Sequence, residues 1–172
     1  MKNLGSTASI SRVRSKTDIL AVERLAMEIW PEHYVPITGR AQVDYMLEKF
    51  QSADAISKQV ADGYEYFLIC DQGQHAGYFA VVPNEKNHDL FLSKIYVRKA
   101  ARGSGFGKQA LQFAEGVCRE RGFSLIWLTV NRFNADSIAW YQRMGFRNAG
   151  SIVQDIGGGF VMDDFRMEKP VA

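Results

Sequence analysis

The sequence predicts a mixed α/β fold built on a mostly antiparallel sheet. Three observations predict it. The helical hydrophobic period ends near residue 64. Three short segments rich in aromatic and β-branched residues then follow one another, with turn residues between them. Beyond them a glycine-rich turn opens a strand–helix–strand unit, and a glycine-centred hairpin ends the pattern.

Taken in order, residues 9–14 (SISRVR) alternate in character and predict an edge strand. From Asp18, the apolar residues Ile19, Val22, Leu25, Ala26 and Ile29 recur at helical spacing. That helix should stop before Pro31, because the residue preceding a proline disfavours helical backbone. A second helix is predicted from Thr38 to Phe50, and a shorter one over 54–62 that Gly63 closes. YEYFLIC (64–70) and HAGYFAVV (75–82), separated by DQGQ, read as a hairpin, and LFLSKIYV (90–97) as a third strand. A helix follows from Gly105 to Arg121, with Ala110, Leu111, Phe113, Ala114, Val117 and Cys118 as its apolar side, closed by Gly122. SLIWLTV (124–130) is a buried strand by composition, and Asn134 to Met144 a helix closed by Gly145, with Trp140 facing the core. RNAGSIVQ and GFVMDDFRM make a last hairpin around Gly157, Gly158 and Gly159. The strand–helix–strand unit is expected to be a right-handed crossover.

A chain of 172 residues is expected to form a single domain, 1–172. It is 47% hydrophobic and 23% charged, with a net charge of +2 and no basic block, which argues against nucleic acid as the main partner. The N-terminus MKNLGSTAS has no apolar stretch behind its lysine, so no secretory signal is expected. No run approaches the ~18 apolar residues of a membrane span, and no membrane association is expected. Cys70 and Cys118 sit inside apolar segments, away from turn or metal spacing. They read as buried thiols in a reducing compartment, so the expected location is cytoplasmic and no metal is expected.

The segment Arg102-Gly103-Ser104-Gly105-Phe106-Gly107-Lys108 lies between a predicted strand and a predicted helix. A helix N-terminus offers unpaired N–H groups and partial positive charge to a phosphate, and glycines let a bulky diphosphate approach. A P-loop is excluded twice, by Arg102 and by Gln109. Gly105, Gly107 and Ala110 formally meet a dinucleotide fingerprint, but the preceding strand is not the sheet's first and no ribose-binding acid follows. A turn that merely caps a helix is the plain alternative.

The R-x-x-G-x-G loop after an apolar strand, followed by N-(x)6-Y-(x)3-GF in NADSIAWYQRMGF, resembles the GNAT superfamily of N-acetyltransferases. The resemblance covers about residues 64–168, and WPEHY, the loop and GFVMDDFRMEK resemble its polyamine-acetylating PaiA-type branch. It implies a twisted sheet of about seven strands with one splayed pair, and acetyl-CoA as cosubstrate. The pantetheine arm would lie in the V between the splayed strands, against the backbone of Ile95, Tyr96 and Val97. Backbone N–H groups from Gly103 to Lys108 would surround the pyrophosphate, and Arg102 would orient the loop or approach phosphate. Asn134 would bond the pantetheine, as an N-cap, or both. Tyr141 matches the family's general acid, which would protonate the leaving thiolate.

The implied reaction is direct attack of a neutral amine on the thioester carbonyl, with the oxyanion held by a backbone N–H of the splayed strand. The acceptor would be a small amine, polyamine or peptide amine, and a homodimer is allowed for. Relatives use a glutamate on the strand before the loop as base; Ser93 stands at that place. Replacement candidates are His33 and Glu32, or water leading to Asp89 or His88. Acceptor sites in this family are built by the first helices and last hairpin, which here carry Glu28, Glu32, His33, Tyr34, Tyr45, Asp163 and Asp164. Strand alternation lets only one of Asp163 and Asp164 face the cleft. The alternative to catalysis is a regulatory domain that binds acyl-CoA and performs no chemistry.

Overall fold

The computed structural model describes residues 7–172. The expectation that no secretory signal is present falls mostly on residues 1–6, outside the described residues. Seven strands form one sheet: β1 Ser9–Arg12, β2 Glu65–Asp71, β3 Gln74–Asn84, β4 Asp89–Val97, β5 Leu125–Asn131, β6 Arg147–Gly157 and β7 Phe160–Pro170. Their order is β1-β2-β3-β4-β5-β7-β6, and every neighbouring pair is antiparallel except β4 with β5. The helices are α1 Lys16–Thr38, α2 Arg40–Gln51, α3 Ala53–Ala61, α4 Phe106–Glu120 and α5 Ala135–Arg143. Each face of the sheet carries its own apolar cluster. One packs under α1 to α3 around Ile29, Ile56, Tyr66 and Tyr78. The other packs under α4 around Phe79, Leu90, Ala114 and Ile126, with side chains of α5 against it.

The element boundaries expected from sequence hold with one large exception. Helix α1 does not stop before Pro31; it continues through Pro31 and Pro36 to Thr38. Each proline removes one N–H that would have bonded the carbonyl four residues back, on Met27 and Glu32 respectively. Both of those residues are on the exposed side, Met27 at 63%, so water can serve the freed carbonyls. The apolar period carries on through Ile29 and Trp30, and burial of that face outweighs the two missing bonds. The helix start is as firm as its end is unexpected. Ser15 and Asp18 form a reciprocal capping box, with Oγ accepting from Asp18 N–H and the carboxylate accepting from Ser15 N–H.

Two irregularities in the sheet make the cleft. The β4–β5 ladder pairs only Asp89 to Phe91 with Leu125 to Trp127, after which the strands part. From there on, among the described residues, β4 has β3 on one edge and no strand on the other. In β4 itself, Lys94 pairs with Ala80 but Leu92 with Val81, so Ser93 is an extra, bulged residue. The bulge changes which faces the side chains take. Leu90 and Leu92 pack into the α4-side cluster, and so do Ile95 and Val97. Tyr96 joins the opposite cluster, and Lys94 lies over Tyr66 of that cluster.

The β6–β7 hairpin folds back onto α2. Tyr45 donates its hydroxyl hydrogen to the Ile156 carbonyl at 2.7 Å, and its ring lies 5.2 Å from that of Phe160. A Cβ at Gly158 would stand 2.8 Å from the Tyr45 ring, so this turn needs glycine for contact as well as for its positive φ of 62°.

Candidate active site

The glycine-rich segment folds as a turn that leads into α4. Gly105 caps the helix in the left-handed region, and Gly103 also has a φ of 83°. The first intrahelical bond runs from Gln109 N–H to Gly105 C=O at 3.0 Å, which leaves the N–H groups of Phe106, Gly107 and Lys108 ahead of it. A Cβ built on Gly103 or Gly105 would meet no protein atom within 4 Å. Among the described residues the surface over these glycines is therefore open, with unpaired donors and the positive end of the α4 dipole beneath it. Arg102 donates from Nε to the Val97 carbonyl at 3.2 Å and ties the loop to the end of β4. Ser104 is exposed on the turn, and the Phe106 side chain is buried in the core, so Phe106 can serve an anion only through its backbone.

Helix α5 stands beside this loop. Gly107 is the point of close approach: a Cβ there would come within 3.3 Å of the Trp140 ring. Trp140, expected in the core, is half-buried and lines the cleft as well as packing on the core. Asn134 is buried and caps α5, its Oδ1 accepting from Ser137 N–H at 3.3 Å. Its Nδ2 lies 2.9 Å from His33 Nε2. Burial lowers the His33 pKa, and the Arg102 charge lowers it further. Asn134 Oδ1 is committed to Ser137, so its Nδ2 donates to His33, and the lowered pKa favours the neutral ring that accepts through Nε2. Tyr141 faces the same cleft, and burial pushes its phenol well above 10, so it stays protonated. Among the described residues its hydroxyl has no hydrogen-bond partner.

These parts surround one cleft of about 1090 Å³, bounded by β4 from Phe91 to Val97, the glycine loop, α5, α1 and the β6–β7 hairpin. Tyr34 and Tyr96 meet across it with hydroxyls 2.8 Å apart, and burial raises the Tyr34 pKa to about 12. Asp164 is 4% exposed and lines the cleft, and burial raises its carboxyl to about 6 against a lowering hydrogen bond from Thr129. Asp163 turns the other way and pairs with Arg132 at 2.7 Å, as strand alternation requires.

Several expected residues are not brought to the cleft. Continuation of α1 as a helix puts Glu32 on its exposed side, one turn from Glu28, which pairs with Arg98 at 2.8 Å. Asp89 and His88 are also misplaced as bases. Asp89 accepts from Trp127 Nε1 at 3.1 Å at the closed end of β4, and His88 packs on Phe123. The acidic lining expected of the acceptor region thus shrinks to Asp164. A residue that sequence reasoning passed over is Lys94, which lines the cleft beside Ser93. Its signal was a lysine inside a mostly apolar strand.

The profile of the acetyltransferase (GNAT) family matches residues 21–146, well over half of the chain. The chain belongs to the GNAT family of acetyltransferases. Among its relatives, streptothricin acetyltransferase of Streptomyces lavendulae is 34% identical over 97 residues, which is 56% of this chain and 51% of that enzyme. The chain thus spans about half the length of that relative. An uncharacterized N-acetyltransferase of Lactobacillus delbrueckii subsp. lactis is 34% identical over 131 residues, 72% of this chain and 75% of that one. Among solved structures, the PaiA N-acetyltransferase of Thermoplasma acidophilum in complex with coenzyme A superimposes with a TM-score of 0.78 at 19% identity. That superposition covers 95% of this chain and 99% of the other. Splayed strands, glycine turn and α5 are thus parts of a GNAT acetyltransferase fold.

Proposed function

We propose that this chain acts as a single domain, in the cytoplasm, to move an acetyl group from acetyl-CoA to an amine. The observation that carries the reading is the alignment along one cleft of three features unpaired among the described residues: the α4 N–H groups, the open edge of β4 beyond Phe91, and the Tyr141 hydroxyl. The N–H groups of Gly103 to Lys108 would hold the pyrophosphate, and Arg102 would keep the loop in place. The edge of Ile95, Tyr96 and Val97 would bond the pantetheine amides, with Asn134 beside them. The thioester then lies towards the narrow end of the V, since the phosphates occupy the loop at the wide end.

The acceptor enters from the α1–α2 and hairpin side. Asp164 gives that side its carboxylate, and Tyr34 and Tyr96 give it aromatic walls, a lining suited to a cationic amine of small or polyamine type. The amine nitrogen attacks the thioester carbonyl, the C–N bond forms and the C–S bond breaks. One proton leaves nitrogen, and one reaches the departing sulfur from Tyr141. The likeness to PaiA and to streptothricin acetyltransferase supports basic amines as the first class to try.

The test is thiol release from acetyl-CoA over a panel of polyamines, aminoglycoside and streptothricin-type amines, amino acids and peptides. Release that depends on one amine class supports the reading. Tight coenzyme binding without amine-dependent release would leave a binding domain instead.

A further inference from the structure

A direct attack needs a group to take the amine's proton, and the place where a carboxylate is expected holds Ser93, the bulged residue of β4. The bulge matters for the next residue. Without it, Lys94 and Tyr96 would share the α4-side face with Leu90 and Leu92; with it, they turn to the α1–α3 side. Lys94 thereby sits three residues beyond the last β4–β5 pair, close to the narrow end of the V, and lines the cleft.

Its surroundings are unusual for a lysine. Among the described residues no carboxylate lies within ion-pair distance of it. Its Nζ donates to Ser93 Oγ at 2.9 Å and to Gln59 Oε1 at 3.3 Å. The rings of Tyr64 and Tyr66 stand 5.1 and 5.5 Å from the nitrogen. Gln59 cannot turn to offer its amide nitrogen instead, because its Nε2 donates to the Phe50 carbonyl and its Oε1 also accepts from Tyr66. Tyr66 in turn accepts from Gln51 Nε2, Gln51 Oε1 accepts from Tyr78, and Tyr78 accepts from Trp30. The Gln59 acceptor facing Lys94 is thus fixed by a hydrogen-bonded chain running through the core.

A neutral lysine amine has two hydrogens and one lone pair. Here both hydrogens have uncharged acceptors, Ser93 Oγ and the fixed Gln59 Oε1. We propose that Lys94 is the base of the acetyl transfer: it takes the proton that the acceptor nitrogen sheds as the C–N bond forms. The inference rests on the reading of the chain as an amine acetyltransferase. The Lys94 lone pair forms the new N–H bond, and the electrons of the broken acceptor N–H bond stay on the acceptor nitrogen. The ammonium so formed is held by the two tyrosine rings until it returns the proton to water in the cleft.

The electrostatics agree. Burial lowers the Lys94 pKa to about 7, with no charged neighbour contributing. The titratable groups facing it are the phenols of Tyr64 and Tyr66, whose pKa values burial raises, so both are neutral at working pH. The α3 side presents only the amide of Gln59. A base poised near the operating pH suits proton transfer.

The experiment measures kcat against pH at saturating amine and acetyl-CoA for the wild type, Lys94→Met, Lys94→Arg and Asp164→Asn. Lys94→Met is near in shape and cannot take a proton; Lys94→Arg is always charged. The expected wild-type kcat rises through one ionisation near 7. Both Lys94 variants should lose about 10²-fold or more in kcat together with that ionisation, while coenzyme affinity by calorimetry is unchanged. Asp164→Asn should keep the ionisation. Competitive labelling of the wild type with trace acetic anhydride reads the Lys94 ionisation without turnover, and should give a value well below that of surface lysines. Lys94→Met within about threefold of wild type, or an ionisation lost in Asp164→Asn and kept in Lys94→Met, overturns the proposal. A wild type that acetylates no amine refutes the function itself, and the role of Lys94 with it.

Discussion

Asn134 Nδ2 and His33 Nε2 lie 2.9 Å apart and join α5 to α1 across the cleft. The bond requires an unprotonated Nε2, and burial holds the His33 pKa below its ordinary value. The unfolded state therefore binds more protons than the folded state as pH falls through the ordinary histidine range. Stability from this group is present above that range and is lost below it. Thermal midpoints from pH 8 down to 5 should fall more steeply for the wild type than for His33→Gln. Parallel curves would show that the ring is not held neutral.

Coenzyme affinity should depend on the conformation of the glycine turn. Gly105 has a φ of 83°, and a Cβ placed on it would meet nothing within 4 Å, so Gly105→Val strains the backbone without a protein clash. The strain costs on the order of 1–3 kcal/mol, and the branched side chain covers the donors of α4. Calorimetry should show acetyl-CoA binding weakened by about tenfold or more, while Lys108→Ala, which removes only an exposed charge, weakens it less. Equal affinity in Gly105→Val would remove the phosphate role from this loop.

Asp164 gives a stability prediction of opposite sign. Its folded pKa is raised to about 6, above the ordinary value near 4, because the carboxyl is buried. The folded state therefore binds the extra proton, and stability falls as pH rises from about 4 to 6. Asp164→Asn should be more stable than wild type at pH 7, by about 1–3 kcal/mol, and equal to it near pH 3.5. Weaker binding of a basic acceptor should accompany the gain. A variant less stable at every pH would mean the ionised carboxylate has a partner that supports the fold.

Much of this was legible in the sequence, for identifiable reasons. Aromatic and β-branched runs in β2 to β5 and the glycines around α4 and α5 are local signals, and they define the sheet and the glycine turn. The end of α1 was not legible, because Pro31 and Pro36 follow the local rule while burial of Ile29 and Trp30 overrides it. That override is what turns His33 and Tyr34 inwards and Glu32 outwards. Lys94 was hidden for a different reason. A bulge has no sequence signature as plain as a glycine turn, and without it alternation assigns Lys94 to the wrong face.

Tyr141→Phe keeps the ring and its edge contact with Phe146, 5.6 Å between centroids, and removes only a hydroxyl that has no protein partner among the described residues. Folding and coenzyme affinity should change little. If the phenol protonates the leaving sulfur, kcat falls by about 10²–10⁴-fold. A drop of less than about threefold, measured with the thermal midpoint on the same preparation, would remove Tyr141 from the mechanism.

The central claim is direct acetyl transfer from coenzyme to amine, and a single-turnover experiment with isotope-labelled acetyl-CoA tests it most directly. Enzyme in excess is mixed with coenzyme and the best amine from the panel, quenched at intervals, and the label is followed by mass spectrometry. The account predicts that label passes to the amine nitrogen as free coenzyme A appears, with none on the protein at any time. Label found first on Cys70, Cys118 or Lys94 and later on the amine would contradict it.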